Sequence, residues 1–287
     1  MYLRCFYIII DIIYGGGNMD NIIMIKKLNF SYKNKVIFKD FDLEIERNKF
    51  IHIVGPNGSG KSTLVHILLG LLKADGYINI YHMNMCEDNL MDIRRNIGVV
   101  FENPDNTFVA ETVADDIAFS LENLNYSPST IDQKIQKISE YLKIEHLLEK
   151  NPHYLSGGEK QLVALASALV LEPKILILDE ALTMVDGVEK EQILKLLRKI
   201  VNEKKITVIN VTHDMEDTVY GDKIIILNKG KVLFNDDKKA VYKEERALKK
   251  IGIDLPFMVD LSNKLSYYGL VDETILSMSE MVNHLWK

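Results

Sequence analysis

A chain of 287 residues, 47% hydrophobic and 26% charged, has the composition of a folded protein with one large domain, or a domain plus an appendage. Its net charge of −6 speaks against nucleic acid as the main ligand. Cys5 and Cys86, with no C-x-x-C, imply neither a disulfide framework nor a zinc site and suit a reducing, cytosolic setting. No apolar run approaches the roughly 18 residues that cross a bilayer, so work at a membrane needs something else to hold the chain there.

Residues 1–18 carry an apolar run from Cys5 to Ile10 behind Arg4. Asp11 interrupts it and no small-residue cleavage site follows, which argues against a signal peptide. A short β-rich appendage is a second reading. We favour a third, that translation begins at Met19 and residues 1–18 are a non-native or disordered extension. Gly15-Gly16-Gly17-Asn18 implies G-rich codons where a bacterial ribosome-binding site would lie.

Strands are expected over 22–30, 41–46 and 50–54, the first two separated by the polar stretch 31–35. Tyr32 follows the first strand, where its face could stack on a nucleobase. After the β-branched run 50–54 comes Gly55-Pro56-Asn57-Gly58-Ser59-Gly60-Lys61-Ser62-Thr63, a full G-x-x-x-x-G-K-[ST] match leading into a helix. Such a loop turns successive N–H groups toward one anion at a helix N-terminus. Lys61 would reach the β- and γ-phosphates, and the Ser62 hydroxyl would ligate Mg²⁺. We read this chain as binding a nucleoside triphosphate.

The helix after Lys61 is expected to run to about Lys73 and stop near Gly76. Further strands are expected over 76–81 and 97–101. Helical periodicity marks 112–124 and 131–142, separated by the breaker Asn125-Tyr126-Ser127-Pro128, and suggests a helical insertion over about 103–160. A helix over 160–171 leads into the apolar run Ile175-Leu176-Ile177-Leu178, which reads as a strand buried on both faces. A helix over about 188–201, a strand over 206–211 and strands near Ile224 and Val232 complete an α/β body with a largely parallel central sheet. Beyond about 240, Met258, Leu261, Leu265, Met278, Met281, Val282 and Leu285 recur at helical spacing, as in a helical cap.

Asp179 and Glu180 end the buried strand. Ligands of open α/β sheets bind beyond the strands' carboxyl ends, so both acids should lie near the phosphate loop. Asp179 suits the Mg²⁺ carboxylate and Glu180 a base that orients or deprotonates water. Leu155-Ser156-Gly157-Gly158-Glu159 offers a second anion-binding helix start, which a partner subunit could supply to the opposite side of one nucleotide.

The phosphate loop, 155–159, Asp179-Glu180, Val185-Asp186 and Thr212-His213 together resemble the ATP-binding subunit of an ABC transporter over about residues 22–235. The resemblance implies a P-loop NTPase fold of ABC type with a central parallel sheet, an antiparallel β subdomain, a helical insertion and a small C-terminal helical domain. The implied division is 19–240 for the ATPase and 241–287 for the C-terminal domain, which would keep two ATPases together. It also implies a head-to-tail dimer binding ATP with Mg²⁺. Each ATP would lie between the phosphate loop and Tyr32 of one subunit and Ser156, Gly157, Gly158 and Glu159 of the other. His213 would contact the γ-phosphate, and Asp186 would couple the two sites.

Val99-Val100-Phe101-Glu102-Asn103-Pro104-Asp105-Asn106, Asp115-Asp116-Ile117-Ala118-Phe119, Leu121-Glu122-Asn123 and Ile253-Asp254-Leu255-Pro256-Phe257 resemble the energy-coupling-factor (ECF) type, the first of its two paired ATPases. That implies a heterodimer with a paralogous ATPase on the cytoplasmic face of the cell membrane. The pair would dock on a transmembrane coupling protein that recruits a substrate-binding membrane protein for a vitamin or metal ion. The alternatives are an ATPase of a dedicated cobalt or nickel importer and a soluble ABC ATPase outside transport. Between Lys61 and Leu155 there is no room for the long coiled coil of DNA-repair members.

The pattern departs in places. Glu102 stands where the family usually has Gln; it can ligate Mg²⁺ through oxygen but adds negative charge near the γ-phosphate, which predicts weaker ATP affinity or altered coupling. Leu162 replaces a usual Arg, and 181–187 is a loose version of the usual loop. Asp115-Asp116 could meet basic residues of the coupling protein or form a solvated helix face.

Overall fold

A computed structural model describes residues 20–33 and 35–285; the expectations for residues 1–18 and for a start at Met19 lie outside the described residues. An antiparallel sheet of order β2-β1-β4-β5 joins β1 (Asn21–Tyr32), β2 (Lys35–Glu46), β4 (Asp75–Ile80) and β5 (Met83–Asn84). A six-stranded sheet of order β10-β9-β3-β8-β7-β6 holds β3 (Phe50–Val54), β6 (Ile97–Phe101), β7 (Ile175–Asp179), β8 (Thr207–Thr212) and β9 (Lys223–Asn228) in parallel. Its edge strand β10 (Lys231–Asp237) pairs antiparallel with β9.

Alternation along these strands explains why both faces of the larger sheet are covered. Ile51, Ile53, Ile175, Ile177, Ile209 and Val211 join a core with Leu64, Val65, Ile67 and Leu68 of helix α1 (Lys61–Leu68) and with the antiparallel sheet. Phe50, Leu176, Leu178 and Val208 face the other way. Helices α3 (Val113–Glu122), α4 (Pro128–Leu142), α5 (Gly157–Leu169) and α6 (Gly187–Lys204) contribute to that second core. Full burial of each such side chain is worth about 1.5–3 kcal/mol.

Several boundaries differ from the sequence expectation, each for a local reason. Helix α1 stops at Leu68, short of Lys73, because Gly70 (φ +65°) ends it. Gly70 N–H donates to Ile67 O and Leu71 N–H to His66 O, the paired bonds of a Schellman cap. Gly76 instead lies within β4. Helix α4 begins at Pro128, because Ser127 caps it and proline is tolerated at a first helical position. Helix α5 begins at Gly157, because Ser156 and Glu159 close a reciprocal capping box. Strand β2 starts at Lys35, and a short helix α2 (Leu90–Arg95) was not foreseen. Of the Asp115-Asp116 pair only Asp115 is on a solvated face, where it bonds the Thr112 hydroxyl at 2.6 Å; Asp116 is buried and accepts from Val109 N–H at 2.8 Å.

After β10 come α7 (Lys238–Tyr242), α8 (Glu245–Lys250), α9 (Phe257–Ser266) and α10 (Met278–Leu285). Val241, Tyr242, Leu248, Ile253, Leu255 and Val259 pack on Val54, Met215, Ile224 and Ile226 of the larger sheet and the turn after β8. Met258, Val271, Ile275 and Met281 form a small cluster flanked by Leu261 and Leu265. Met278, Val282 and Leu285, read from the sequence as part of a packed face, are exposed.

His52 in β3 is fully buried, with its ring centroid 4.6 Å from that of Phe50 and Nδ1 3.3 Å from the Asn210 amide nitrogen. Burial, with a smaller contribution from Lys238, lowers its pKa from 6.5 to about 3. The unfolded chain therefore takes up the proton first. This contribution to stability is complete above pH 6.5 and is lost as the pH falls from there toward 3, at about 1.4 kcal/mol per pH unit. Urea unfolding between pH 6.5 and about 5 should show a slope shallower by about that amount in His52→Gln than in the parent chain.

Candidate functional site

Parallel register gathers the candidate residues. Val54 pairs with Thr212, Asp179 with Val211 and Phe101 with Asp179, so the four strands end on one edge. From those ends emerge the phosphate loop after β3, Glu102 after β6, Glu180 after β7 and His213 after β8. Glu180 has φ +52° while its N–H still donates to Val211 O at 2.9 Å. A left-handed glutamate costs on the order of 1 kcal/mol or more and persists where its surroundings over-determine it. Here the turn aims its carboxylate back over the edge.

Gly60 sits at φ +108°, a conformation that favours glycine, and a Cβ there would lie 2.9 Å from the Phe38 ring. That contact brings the β1–β2 hairpin against the phosphate loop. Gly55, Asn57, Gly58, Ser59, Gly60, Lys61, Ser62 and Thr63 form the β3–α1 junction as expected, with Asn57 and Gly58 exposed and the Ser59 hydroxyl buried without a partner among the described residues. The Lys61 ammonium, 4% exposed, donates to Gly55 O at 2.8 Å and lies 3.7 Å from Glu180 Oε1. Burial pulls its pKa down against the attraction of Glu180 and Asp179. Burial likewise pushes the Asp179 carboxyl up, opposed by its bond from Ser62 Oγ at 3.2 Å. Glu180 Oε2 is 3.1 Å from His213 Nδ1.

Glu102, Ser62, Asp179 and Glu180 line one cleft with Phe101, Asn103, Asn106 and Thr107. Ser62 and Asp179 present hydroxyl and carboxylate oxygens side by side, a hard donor pair that fits Mg²⁺ completed by phosphate and water. The exposed glycine turn beside a buried ammonium fits a polyphosphate.

The remaining candidates lie apart. Tyr32 is 43% exposed at the end of β1, edge-on to Phe30 at 4.8 Å. Ser156 and Glu159 are engaged in the cap of α5: Ser156 N–H donates to Glu159 Oε2 at 2.9 Å, and Glu159 N–H to Ser156 Oγ at 3.2 Å. The N–H groups of Gly157 and Gly158 belong to a first helical turn, which has no partners within the helix. Among the described residues no hydrogen bond joins 155–159 to the phosphate loop of the same chain. Asp186 caps α6, its carboxylate accepting from Glu189 N–H at 3.3 Å.

Sequence reasoning missed the groups that tie the Glu102 loop to α5. Gln161, 2% exposed, donates to Glu102 O at 3.2 Å. Lys160 bonds Asp105 at 2.8 Å and holds its carboxyl below the usual range, helped by His153 at 3.2 Å. A signal existed: Gln161 is the polar member of the buried stripe Gly158, Gln161, Leu165 and Leu169.

Known proteins are similar to this chain. Residues 38–183 match the family described as ABC transporter. The chain is 39% identical over 247 residues to the energy-coupling factor transporter ATP-binding protein EcfA1 of Leuconostoc mesenteroides subsp. mesenteroides, covering 85% of this chain and 91% of the relative. It is 35% identical over 272 residues to EcfA1 of Listeria monocytogenes, covering 93% and 98%. Among solved structures it is similar to cbiO1 from Clostridium perfringens, described as part of the ABC transporter complex cbiONQ. That match has 33% identity, covers 85% of this chain and 99% of the other, and has a TM-score of 0.75. A dimeric, post-hydrolysis structure of the ATP-binding cassette MJ0796 with ADP and Pi is similar at 30% identity, covering 75% and 98%, with a TM-score of 0.66.

Glu102 makes three carboxylates on one cleft wall with Asp179 and Glu180. Removing a charge roughly 4 Å from a phosphate in water is worth about 1 kcal/mol. Glu102→Gln should therefore bind Mg²⁺-ATP about fivefold more tightly in a calorimetric titration. Unchanged affinity together with unchanged turnover would contradict this role.

Proposed function

This chain belongs to the ABC transporter ATP-binding family, among the energy-coupling factor ATP-binding proteins, and we propose that its site binds and hydrolyses ATP to power an ECF-type importer of a vitamin or metal ion. One observation carries the catalytic reading: Glu180 is held between Lys61 and His213, next to the Ser62–Asp179 pair. Lys61 would exchange the carbonyls of Gly55 and Pro56 for the β- and γ-phosphates. Ser62 and Asp179 would hold Mg²⁺, with Glu102 near enough to assist; the ion supplies charge neutralisation at the phosphates. Glu180 orients or deprotonates the attacking water, and His213 contacts the γ-phosphate while its other edge stays on Glu180. Tyr32 stacks on the base.

Separation of the signature segment 155–159 from the phosphate loop supports a site completed by another subunit. The Gly157 and Gly158 N–H groups would then face the γ-phosphate held by a second, paralogous ATPase. Among the described residues no helix is long and apolar enough to cross a membrane. Attachment at the cytoplasmic face would run through a transmembrane coupling protein, which recruits the substrate-binding membrane protein. Its docking place would be the groove between β6 and α3, where Val109 and Phe119 are exposed beside Phe108 and Ser120. The Glu102 loop forms one border of that groove and is bonded to α5 through Gln161 and Lys160, a direct path from docking to the signature. Residues 241–287 would serve as the C-terminal domain that holds the two ATPases together, with the exposed Met278, Val282 and Leu285 as contacts.

Affinity capture of the full chain from its own membranes should recover a second cassette ATPase and a transmembrane coupling protein; recovery of ribosomes or DNA-repair factors instead would overturn the transport reading. Separately, Glu180→Gln should lower ATP turnover about 10²–10⁴-fold while nucleotide binding persists.

A further inference from the structure

The turn carrying His213 has an anchor that the reading above does not use. Lys190, in the first turn of α6, is 17% exposed, and its ammonium lies 2.7 Å from Asp214 Oδ2 and 2.7 Å from Asp217 Oδ1. Asp214 follows His213 directly. Asp217, 2% exposed, accepts from Thr212 Oγ1 at 2.9 Å, and Thr212 precedes His213. Asp214 N–H closes the turn on Thr212 Oγ1 at 3.0 Å. Both neighbours of His213 are thus fastened to one ammonium. His213 itself is 51% exposed in its side chain and bonds Glu180, so the position of its ring follows the turn.

The other end of the same lysine leads to the interface loop. Lys190 N–H donates to Asp186 O at 2.8 Å, and Asp186 caps the helix through Glu189 N–H. Lys190 thus contacts the Asp186 turn through its N–H and Asp214 and Asp217 through its ammonium. Of the three groups only Asp217 is fully buried, and ion pairs with a buried member add little stability over well-packed neutral replacements. What this one adds is a fixed geometry between two loops.

We propose that Lys190 is a positioning residue for ATP hydrolysis, tying the Asp186 loop to the turn that presents His213 to Glu180. The proposal rests on the reading of Glu180 and His213 as hydrolytic groups. It acts on the chemical step, because neither Asp214 nor Asp217 lines the phosphate loop. Misplacement of a catalytic group by about 1 Å can cost up to about 100-fold in rate.

The test is ATP turnover by the full chain, purified with the partners it carries, for K190R, K190M, K190M/D214N/D217N and H213A. The triple variant removes the tie without leaving a buried charge unpaired, so its fold is preserved if K190M alone unfolds. K190M, where folded, and the triple variant should lose about tenfold or more in kcat with KM for ATP within about twofold, and K190R should recover most of the rate. Adding K190M, or the triple replacement, to H213A should cause little further loss, because both act through one group. A folded triple variant with parental kcat, or losses that multiply onto H213A, would overturn the proposal alone. Parental kcat in H213A would remove the hydrolytic reading of His213 and the proposal with it.

Discussion

Parallel pairing of β3, β8, β7 and β6 is the constraint on which the candidate site depends. Each strand sends side chains into both cores, so its register is held by two cores at once. A slip of one residue would exchange the faces and turn apolar side chains of each core toward the other. Because the register is held, Val54, Asp179, Thr212 and Phe101 end together, and the loops that follow them need only a residue or two to meet. The antiparallel sheet then closes over the phosphate loop through Phe38 at Gly60.

Electrostatics at this edge are organised for a ligand that brings both signs of charge. Burial depresses the Lys61 pKa and raises that of Asp179, so each group is pushed toward its neutral form. A polyphosphate reverses the first shift and a divalent cation the second. Lys61 contacts the Gly55 carbonyl and Glu180, and Glu180 is also the contact of His213. These are the contacts that the proposed phosphate, cation and water would replace.

Two helices carry the site outward. Helix α5 begins at the signature and is bonded to the Glu102 loop; α6 begins at Asp186 and is bonded to the His213 turn. Both start in segments expected to meet a second subunit. Polar ties add to the apolar packing of Leu155, Val163 and Val185 with Leu178 in connecting those segments to the phosphate edge. Directional contacts of this kind specify a relative position that apolar contact alone leaves adjustable.

The phosphate loop, the strand ending in Asp179-Glu180, the family resemblance and the order of the α/β elements were readable from the chain because each rests on local spacing or a continuous apolar run. The Ser156–Glu159 cap was equally local, and its S-x-x-E spacing marks the true start of α5 better than the apolar periodicity does. The end of α1 needed a choice between Gly70 and Gly76, which the Schellman bonds decide. Gln161, Asp105, Lys160 and Lys190 were not legible as parts of the site, since each acts on a group more than twenty positions away in sequence. By itself the sequence determined the phosphate-loop motif, the family and the strands that precede the candidate groups, through spacing and burial pattern. Only the tertiary structure decided that Asp116 is an internal acceptor, that Glu180 bridges Lys61 and His213, and that Lys190 holds the His213 turn. Those roles depend on distances between separate elements, which packing sets and local pattern does not encode.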